Sequence, residues 1–321
     1  MSTAAASPAI VLSRIGQQNK AGDVLANFED VLLGEVISAY EVKVVLAGLT
    51  RQRQITHGKS ATFDAVYTAA VEYFTAGNEI TGGQIAHQQI NIPVDDLLIA
   101  PVMIFNLDEA MNHYDVRGPY STELARAQAV AMDKNIARNL IRAARAGALF
   151  TGDTAGQSVT DSDGRTSATS LAASLISAKQ LLEEADVPVD SLTVTAALKA
   201  AQWYLLSQES TLVLNQDIGG AGSYSKGILP MIGGVDVVKS NAFPWATNDS
   251  SNTAIPADYR VNMTNTIGAV FVEAAVGTVR LLGMSIETEP SVAKQGTLVV
   301  AKQAVGHGPI IPKCAVELKT S

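Results

Sequence analysis

The chain is poor in cysteine, in aromatic residues and in charge. It carries one cysteine in 321 residues, Cys314, so no disulfide can form within it, and a lone thiol fits a reducing cytoplasm. No CxxC, HExxH or GxSxG pattern occurs, and the four histidines (His57, His87, His113 and His307) are scattered. That excludes the zinc sites and nucleophile elbows that are recognisable by spacing. "HGKS" (57–60) ends like a phosphate-binding loop, but Arg53 stands where the motif needs its first glycine. Aromatic residues make up 5% of the chain and charged residues 17%, against ~25% in ordinary soluble domains. Small residues, alanine above all, fill the gap. A chain with so little charge to spread over its surface points to coverage by partner subunits. The formal net charge of −8 opposes long-range attraction to nucleic acid, which needs clustered Lys and Arg. "MSTAAASPAIVLSRIG" has no basic leader before its short apolar run, so no secretory signal is expected. The most apolar stretch, "TIGAVFVEAAVGTVRLLGM", is interrupted by Glu273 and Arg280, so no membrane span is expected either.

What the chain does have is 47% apolar residues, enough for a sizeable core, and a length that allows roughly two domains. Residues 1–21 are small and polar and read as a mobile arm. In "GDVLANFEDVLLGEVISAY" that follows, Val24, Phe28, Val31 and Leu32 recur at helical spacing after Asp23 as N-cap, with Gly34 as a break. "SATFDAVYTAAVEYF" and "QIAHQQINIPV" alternate like strands around the turn signals of "TAGNEITGG", which predicts a long hairpin over 60–94. Its distal half holds too few large apolar residues to bury a core of its own, and an isolated hairpin is marginal in water, so it needs another surface to lie on. A helix is predicted from Pro119 to about Ala146, ~40 Å long at 1.5 Å per residue, with Gly147 as its stop. Leu124, Ala127, Ala131, Ile136, Leu140 and Ala144 mark its buried side. Lys134, Arg138, Arg142 and Arg145 form a basic row that reads first as a solvated or salt-bridged face and second as a contact for DNA.

Beyond the helix, "GDTAGQSVTDSDGRTSATS" (152–170) is a polar connector and the best internal boundary, and "WATNDSSNTAIPADYR" (245–260) is a surface loop. Between them lie helix patterns in "LAASLISAKQLLEEADV" and "LKAAQWYLL", with strands in "LTVTA" and within "GILPMIGGVDVVKSNAFP". The tail alternates strand-like segments, "GAVFVEAAVGTVRL", "MSIETEPSV", "TLVVAKQAVG" and "CAVELK", and "GHGP" (306–309) reads as a turn. The class is α+β. One stretch, "DEAMNHYDVRGPY" (108–120), crowds acids around a histidine. Glu109 and His113 are i, i+4 neighbours on a helix, and a metal-dependent hydrolase would use them with Asp115; the segment offers no third set of ligands at fixed spacing. The architectural reading makes it the run-in to the long helix, with Asp115 and Arg117 joining ion pairs within or between subunits and His113 as a packing residue.

"EAMNHYDVR" resembles the signature before the long helix of the major capsid proteins of T-seven-like short-tailed phages (podophages of the autographivirus type). "GEVISAY" (34–40), "GKSATF" (58–63), "GGVDVVKSNAFP" (233–244), "AVGTVRL" (275–281) and "AVGHGPIIP" (304–312) resemble further segments of that family in the same order. The resemblance implies the HK97-type capsid fold: an N-terminal arm at 1–55, an extended loop at 56–96, a peripheral domain at 97–168 and 276–304 around a spine helix at about 119–146, and an axial domain at 169–275 and 305–321. It implies no catalytic residue, metal or cofactor. The function implied is self-assembly through hexamers and pentamers into an icosahedral shell around double-stranded DNA, in the virion, after assembly in the bacterial host cytoplasm. The loop tip (Gly77, Asn78, Glu79, Ile80, Gly82 and Gly83) would meet a neighbouring subunit, its glycines serving with the connector as hinges. Lys134, Arg138, Arg142 and Arg145 would touch packaged DNA weakly at the inner surface. Other implied partners are a scaffolding protein that directs a precursor shell, a portal protein, and a decoration or minor capsid protein, with no membrane. Some relatives of the fold cross-link through a loop lysine; none occurs here between Lys59 and Lys134, so the shell is expected to be non-covalent. An encapsulin-like compartment shell shares the fold and is the other reading.

Overall fold

A computed structural model describes residues 44–107 apart from 70, 72, 76, 78, 80 and 81, then 117–208, 229 and 231–321; of residues 117–119 only the backbone is described. The arm helix expected after Asp23 and most of "DEAMNHYDVRGPY" lie outside the described residues. The chain forms two compact units, one holding residues 97–129 and 284–303, the other 44–96, 130–283 and 304–321. The unit boundary does not fall in the 152–170 connector, the place that composition alone had marked.

In the larger unit, β2 (Ser60–Val66) and β3 (His87–Pro93) form the expected hairpin, antiparallel from Ser60↔Pro93 to Val66↔His87. Burial along β2 alternates strictly, with Ala61, Phe63 and Ala65 inside. This follows from a pleated strand that has one face on a core. Phe63 and Ile92 join Ala61, Val279 and Ile310 in a cluster edged by Ile55, Ile90, Val94 and Ile311. The hairpin's base is therefore anchored on its own chain. The anchoring surface is β9 (Val276–Ser291) and β10 (Gly296–Pro309), where β1 (Arg51–Gln54) also pairs, parallel to residues 277–280.

Glycines make this close approach feasible. At Gly306 a Cβ would run into the Pro93 carbonyl, and at Gly308 it would press on Ile92 Cγ1 at 3.1 Å. At Gly277 it would meet Ile92 and Ile310, each at 2.7 Å. "GHGP" is thus the end of a strand, not the turn expected from its two glycines. Glycine marks turns when a positive φ is needed, but here it marks a backbone leaning on a backbone.

The same unit contains a five-stranded mixed sheet in the order β5-β11-β8-β6-β7, from Gln157–Thr160, Ala315–Lys319, Thr266–Phe271, Val194–Leu198 and Val235–Lys239. β6 and β8 are buried at every position, which explains why neither shows a clean alternation in sequence. β5 lies inside the supposed connector: three residues after it, the chain turns back on Asp163, and Ser167 caps the helix α2 (Ala168–Glu184) by accepting the Ser170 N–H at 3.3 Å. A short helix, α3 (Ala200–Gln208), packs beside α2.

The long helix α1 runs Arg117–Arg145, close to its predicted span, and carries the chain from one unit into the other. In the smaller unit its first half packs Leu124 against Val299 and Ala301 of β10 and against Ala100, Val102 and Ile104 of β4 (Leu98–Phe105), which pairs antiparallel with 296–303. The predicted buried face is corrected here. Ala127 is exposed and Ala131 half-buried; Gln128, Ala129 and Met132 face inward instead. Alanine tolerates either side, so it phases a stripe poorly, and a glutamine in the core has no apolar signal. Gln128 earns its buried place by donating its amide to the carbonyls of Ala301 at 3.1 Å and Leu98 at 3.3 Å. No helix among the described residues is long and apolar enough to cross a membrane.

The glycine contact supplies a test. Gly306→Ala should lower stability by about 1–3 kcal/mol, the usual range for overpacking, seen as a lower thermal midpoint of the isolated subunit. Gly283→Ala, at a position with open space around it, should leave the midpoint within a degree or so.

Candidate functional site: the hairpin, its root and the basic row

The site to be explained is a set of surfaces and joints. Beyond Val66↔His87 the hairpin loses its core. Val71 and Tyr73 are 96% and 104% exposed, and Val66 and Phe74 about 60%. Gly77, Glu79, Gly82 and Gly83 are exposed too, with Gly77 at φ +99°; Asn78 and Ile80 are outside the described residues. Scattered exposed apolar residues are ordinary, but fully exposed Val and Tyr beside Phe on one projecting element are a surface without its cover. The sequence placed the free end at the glycine-rich tip; the exposed aromatic pair, Tyr73 and Phe74, lies a few residues earlier, past the end of β2, in a stretch of otherwise small residues.

The root of the hairpin is polar, with Asp95 half-buried and its partners Tyr259 and His307 buried. Asp95, two residues past β3, accepts a hydrogen bond from the Tyr259 hydroxyl, and its own N–H reaches the Val305 carbonyl at 3.3 Å. Tyr259 is fully buried, and its oxygen accepts the backbone N–H of His307 at 3.0 Å. The His307 ring stands 3.1 Å from Thr278 Oγ1, which stands 3.0 Å from Thr50 Oγ1, which donates to the Ala47 carbonyl at 3.1 Å. Counting protons fixes the tautomer. Thr50 gives its only proton to Ala47, so Thr278 must give its own to Thr50, and His307 Nδ1 must be the donor to Thr278. Nε2 is then a bare acceptor, buried without a hydrogen-bond partner. Burial, reinforced by the Arg280 charge, drives the His307 pKa down to about 3, so the ring stays neutral. Burial also lifts Asp95 to about 6 against the bond from Tyr259, with Asp258 and Asp96 adding repulsion.

The start of the described chain is held in a similar way. Asp133 of α1, 1% exposed, accepts the N–H groups of Val45 and Leu46 at 3.0 Å each and so caps the turn at Ala47–Leu49 from outside. Desolvation raises its pKa to about 6 although both N–H bonds pull the other way. Neither Asp95 nor Asp133 stood out in the sequence, because only the fold removes them from water.

The basic row is drawn into the larger unit's own contacts. Arg138 is buried and bonds Asp249 through Nε at 3.0 Å and through Nη2 at 2.8 Å, and also Asn135. Arg142 reaches the Asp258 carbonyl, with the Asp258 carboxylate 3.9 Å away. Arg145 forms a bidentate pair with buried Glu317 at 2.6 and 2.7 Å. Lys134 is half-buried on the same helix. The row therefore clamps the 245–260 loop and β11 onto α1, and that loop ends in buried Trp245 and Tyr259. Arg117 begins α1; Asp115, Glu109 and His113, the residues of the metal alternative, lie outside the described residues. No metal-binding cluster of His, Cys, Asp and Glu occurs among the described residues. His57–Ser60 leads into strand β2, away from any helix N-terminus of the kind a phosphate loop needs.

Anchored hairpin, long helix and mixed sheet together are the HK97-type fold of a capsid shell subunit. The match to known proteins is more specific. The model of the Gp10A-like major capsid protein family matches residues 63–319, and the chain belongs to that family. It is 27% identical to the major capsid protein of Escherichia phage T7 over 325 aligned residues, covering 92% of each chain. The capsid structure of cyanophage P-SCSP1u matches with a TM-score of 0.75 and 33% identity over 87% of this chain and 88% of that one. The mature capsid of bacteriophage PhiM1 shares the fold alone, with a TM-score of 0.72 and 15% identity over 87% of both chains. The protein is thus a phage major capsid protein that self-assembles into shells, a structural component of the virion and not an enzyme.

Two outcomes follow from the burial of these groups. Arg138→Ala strands the nearly buried Asp249 and should cost on the order of 3 kcal/mol, while Arg142→Ala at its exposed pair should cost under about 1 kcal/mol; thermal unfolding of the two variants separates them. Burial holds the Cys314 thiol up at about 11, so the native protein should resist a thiol reagent at pH 8 and react once unfolded.

Proposed function

We propose that the chain closes an icosahedral shell through hexamers and pentamers in which the distal hairpin of each subunit lies on its neighbour. The observation that carries this is the complete exposure of Val71 and Tyr73, with Phe74 beside them, on an element whose base is firmly anchored. Rings of this kind join unlike faces of successive subunits, and obligate interfaces of ~2,000 Å² or more suit a chain with only 17% charged residues. In this reading 1–55 is the arm, 56–96 the extended loop with its tip at Gly77–Gly83, 97–168 with 276–304 the peripheral domain, and 169–275 with 305–321 the axial domain. Asp115 and Arg117 form ion pairs at the head of the spine helix. A scaffolding protein directs the precursor shell, a portal protein occupies one vertex, and a decoration or minor capsid protein is a further partner. Packaged double-stranded DNA meets the inner surface weakly. Because Arg138, Arg142 and Arg145 are already occupied by carboxylates or carbonyls, Lys134 carries most of that contact, which suits a genome that must slide out.

Replacing Tyr73 and Phe74 together by serine should leave the thermal midpoint of the subunit unchanged and reduce particle yield at least tenfold by electron microscopy. Normal particles from that variant would remove the hairpin from the interface. A denaturing gel of mature particles should show one subunit band, since the loop body has no lysine from 60 to 133; a ladder of linked subunits would contradict the non-covalent shell.

A further inference from the structure

At the root of the hairpin one side chain joins three segments of the larger unit. Tyr259 Oη takes the backbone N–H of His307 on β10 at 3.0 Å and gives its proton to Asp95 at the end of the hairpin. The hydroxyl ties the 245–260 loop to both β10 and the hairpin's return strand, beside the one backbone bond from Asp95 N–H to the Val305 carbonyl at 3.3 Å. Its ring is fully buried and tilted against the His307 ring at 6.2 Å between centroids. Beside this joint the two backbones touch, with the Pro93 carbonyl where a Cβ on residue 306 would lie.

We propose that Asp95 and Tyr259 form an acid-tightened latch that sets the angle at which the hairpin leaves the body of the subunit. The proposal rests on the shell reading for its purpose, but the latch itself belongs to the single chain. Among the described residues no cation pairs with Asp95: Asp96 flanks it on its own segment, Asp258 and Tyr259 face it from the loop, and β10 presents the neutral His307, on which β9 turns the Arg280 charge. An ionised Asp95 is therefore desolvated and repelled when latched and hydrated when the root opens. The latched carboxyl titrates at about 6 against 3.8 for a free one. A folded-state value above the free value means that closure is favoured below the free value and weakened as pH rises through 6. Between pH 7.5 and 5 the closed-to-open ratio should rise about tenfold. Within a shell, the setting that holds the hairpin at one angle is firm in mild acid and yields near neutrality.

Hydrogen exchange on assembled particles tests this at Val94 and Asp95, whose amides bond the Lys59 and Val305 carbonyls. After correction for intrinsic rates, protection there should be about tenfold greater at pH 5 than at pH 7.5, while the β8 amides of Thr266–Phe271 change together with global stability only. Asp95→Asn should abolish the difference at the root. Tyr259→Phe should lower root protection at both pH values. Equal protection at the two pH values in the unaltered protein, or the same pH dependence in Asp95→Asn, overturns the latch. If Tyr259→Phe fails to fold, Asp95→Asn carries the test. Particle formation is scored separately by microscopy, so a flat exchange profile in good particles refutes the latch alone, and absence of particles refutes the shell reading.

Discussion

The close approach of the hairpin's backbone to β10 is the constraint from which the other features follow. Pro93 can lie against Gly306, and Ile92 against Gly277 and Gly308, only because these three positions have no side chain. That contact buries Phe63 and Ile92 in the larger unit and fixes one end of the element, so the remaining length projects with Val71, Tyr73 and Phe74 uncovered. A hairpin free at both ends would find a surface on its own chain. One that is anchored at its base presents its apolar residues outward, where another copy can meet them.

The polar interior serves the same end. A string of side chains runs from the Ala47 carbonyl through Thr50, Thr278 and His307 to the β10 backbone, and from there through Tyr259 to Asp95. It joins the segment just after the arm to the root of the hairpin, across the strands on which both rest. Buried polar groups are costly unless paired, and a paired network fixes one arrangement among many that an apolar core would tolerate. Asp133 adds a second carboxylate, this one buried, at the other end of the string. Both carboxylates are bonded to neutral donors, and among the described residues neither pairs with a cation, so both titrate near pH 6. The arginines of α1 do the opposite, spending their charge on Asp249, Asp258 and Glu317 to hold a long polar loop against the helix.

Much of the fold was legible because it is written in local chemistry. Pro119 falls in the first turn of a helix that ends at Arg145, two residues before Gly147, and alternation in "SATFDAV" marks β2. Other parts were not, each for a physical reason. β1 reads Arg-Gln-Arg-Gln and is exposed throughout, so its strand character comes from pairing with β9 alone. β5 hides in a serine- and aspartate-rich stretch because an edge strand of four residues needs little apolar content. "GHGP" was misread because a glycine for close packing and a glycine for a turn look alike in sequence. Of the functional surface, the unsupported hairpin could be inferred from its lack of large apolar residues. Its root could not: Asp95, Tyr259 and His307 are separated by 164 and 48 residues, and only the fold brings them within one hydrogen bond of each other.

The central claim is that the exposed end of the hairpin is half of an interface between copies of this chain. The most direct measurement is a cryo-electron-microscopy map of particles formed by the expressed protein, read at residues 66–86. The account predicts that Tyr73 and Phe74 of each subunit are buried against a neighbouring copy, while Ile92 and Pro93 remain on Gly306 and Gly308 of their own chain. Particles in which Tyr73 and Phe74 face solvent, or in which the hairpin folds back onto its own subunit, would contradict it.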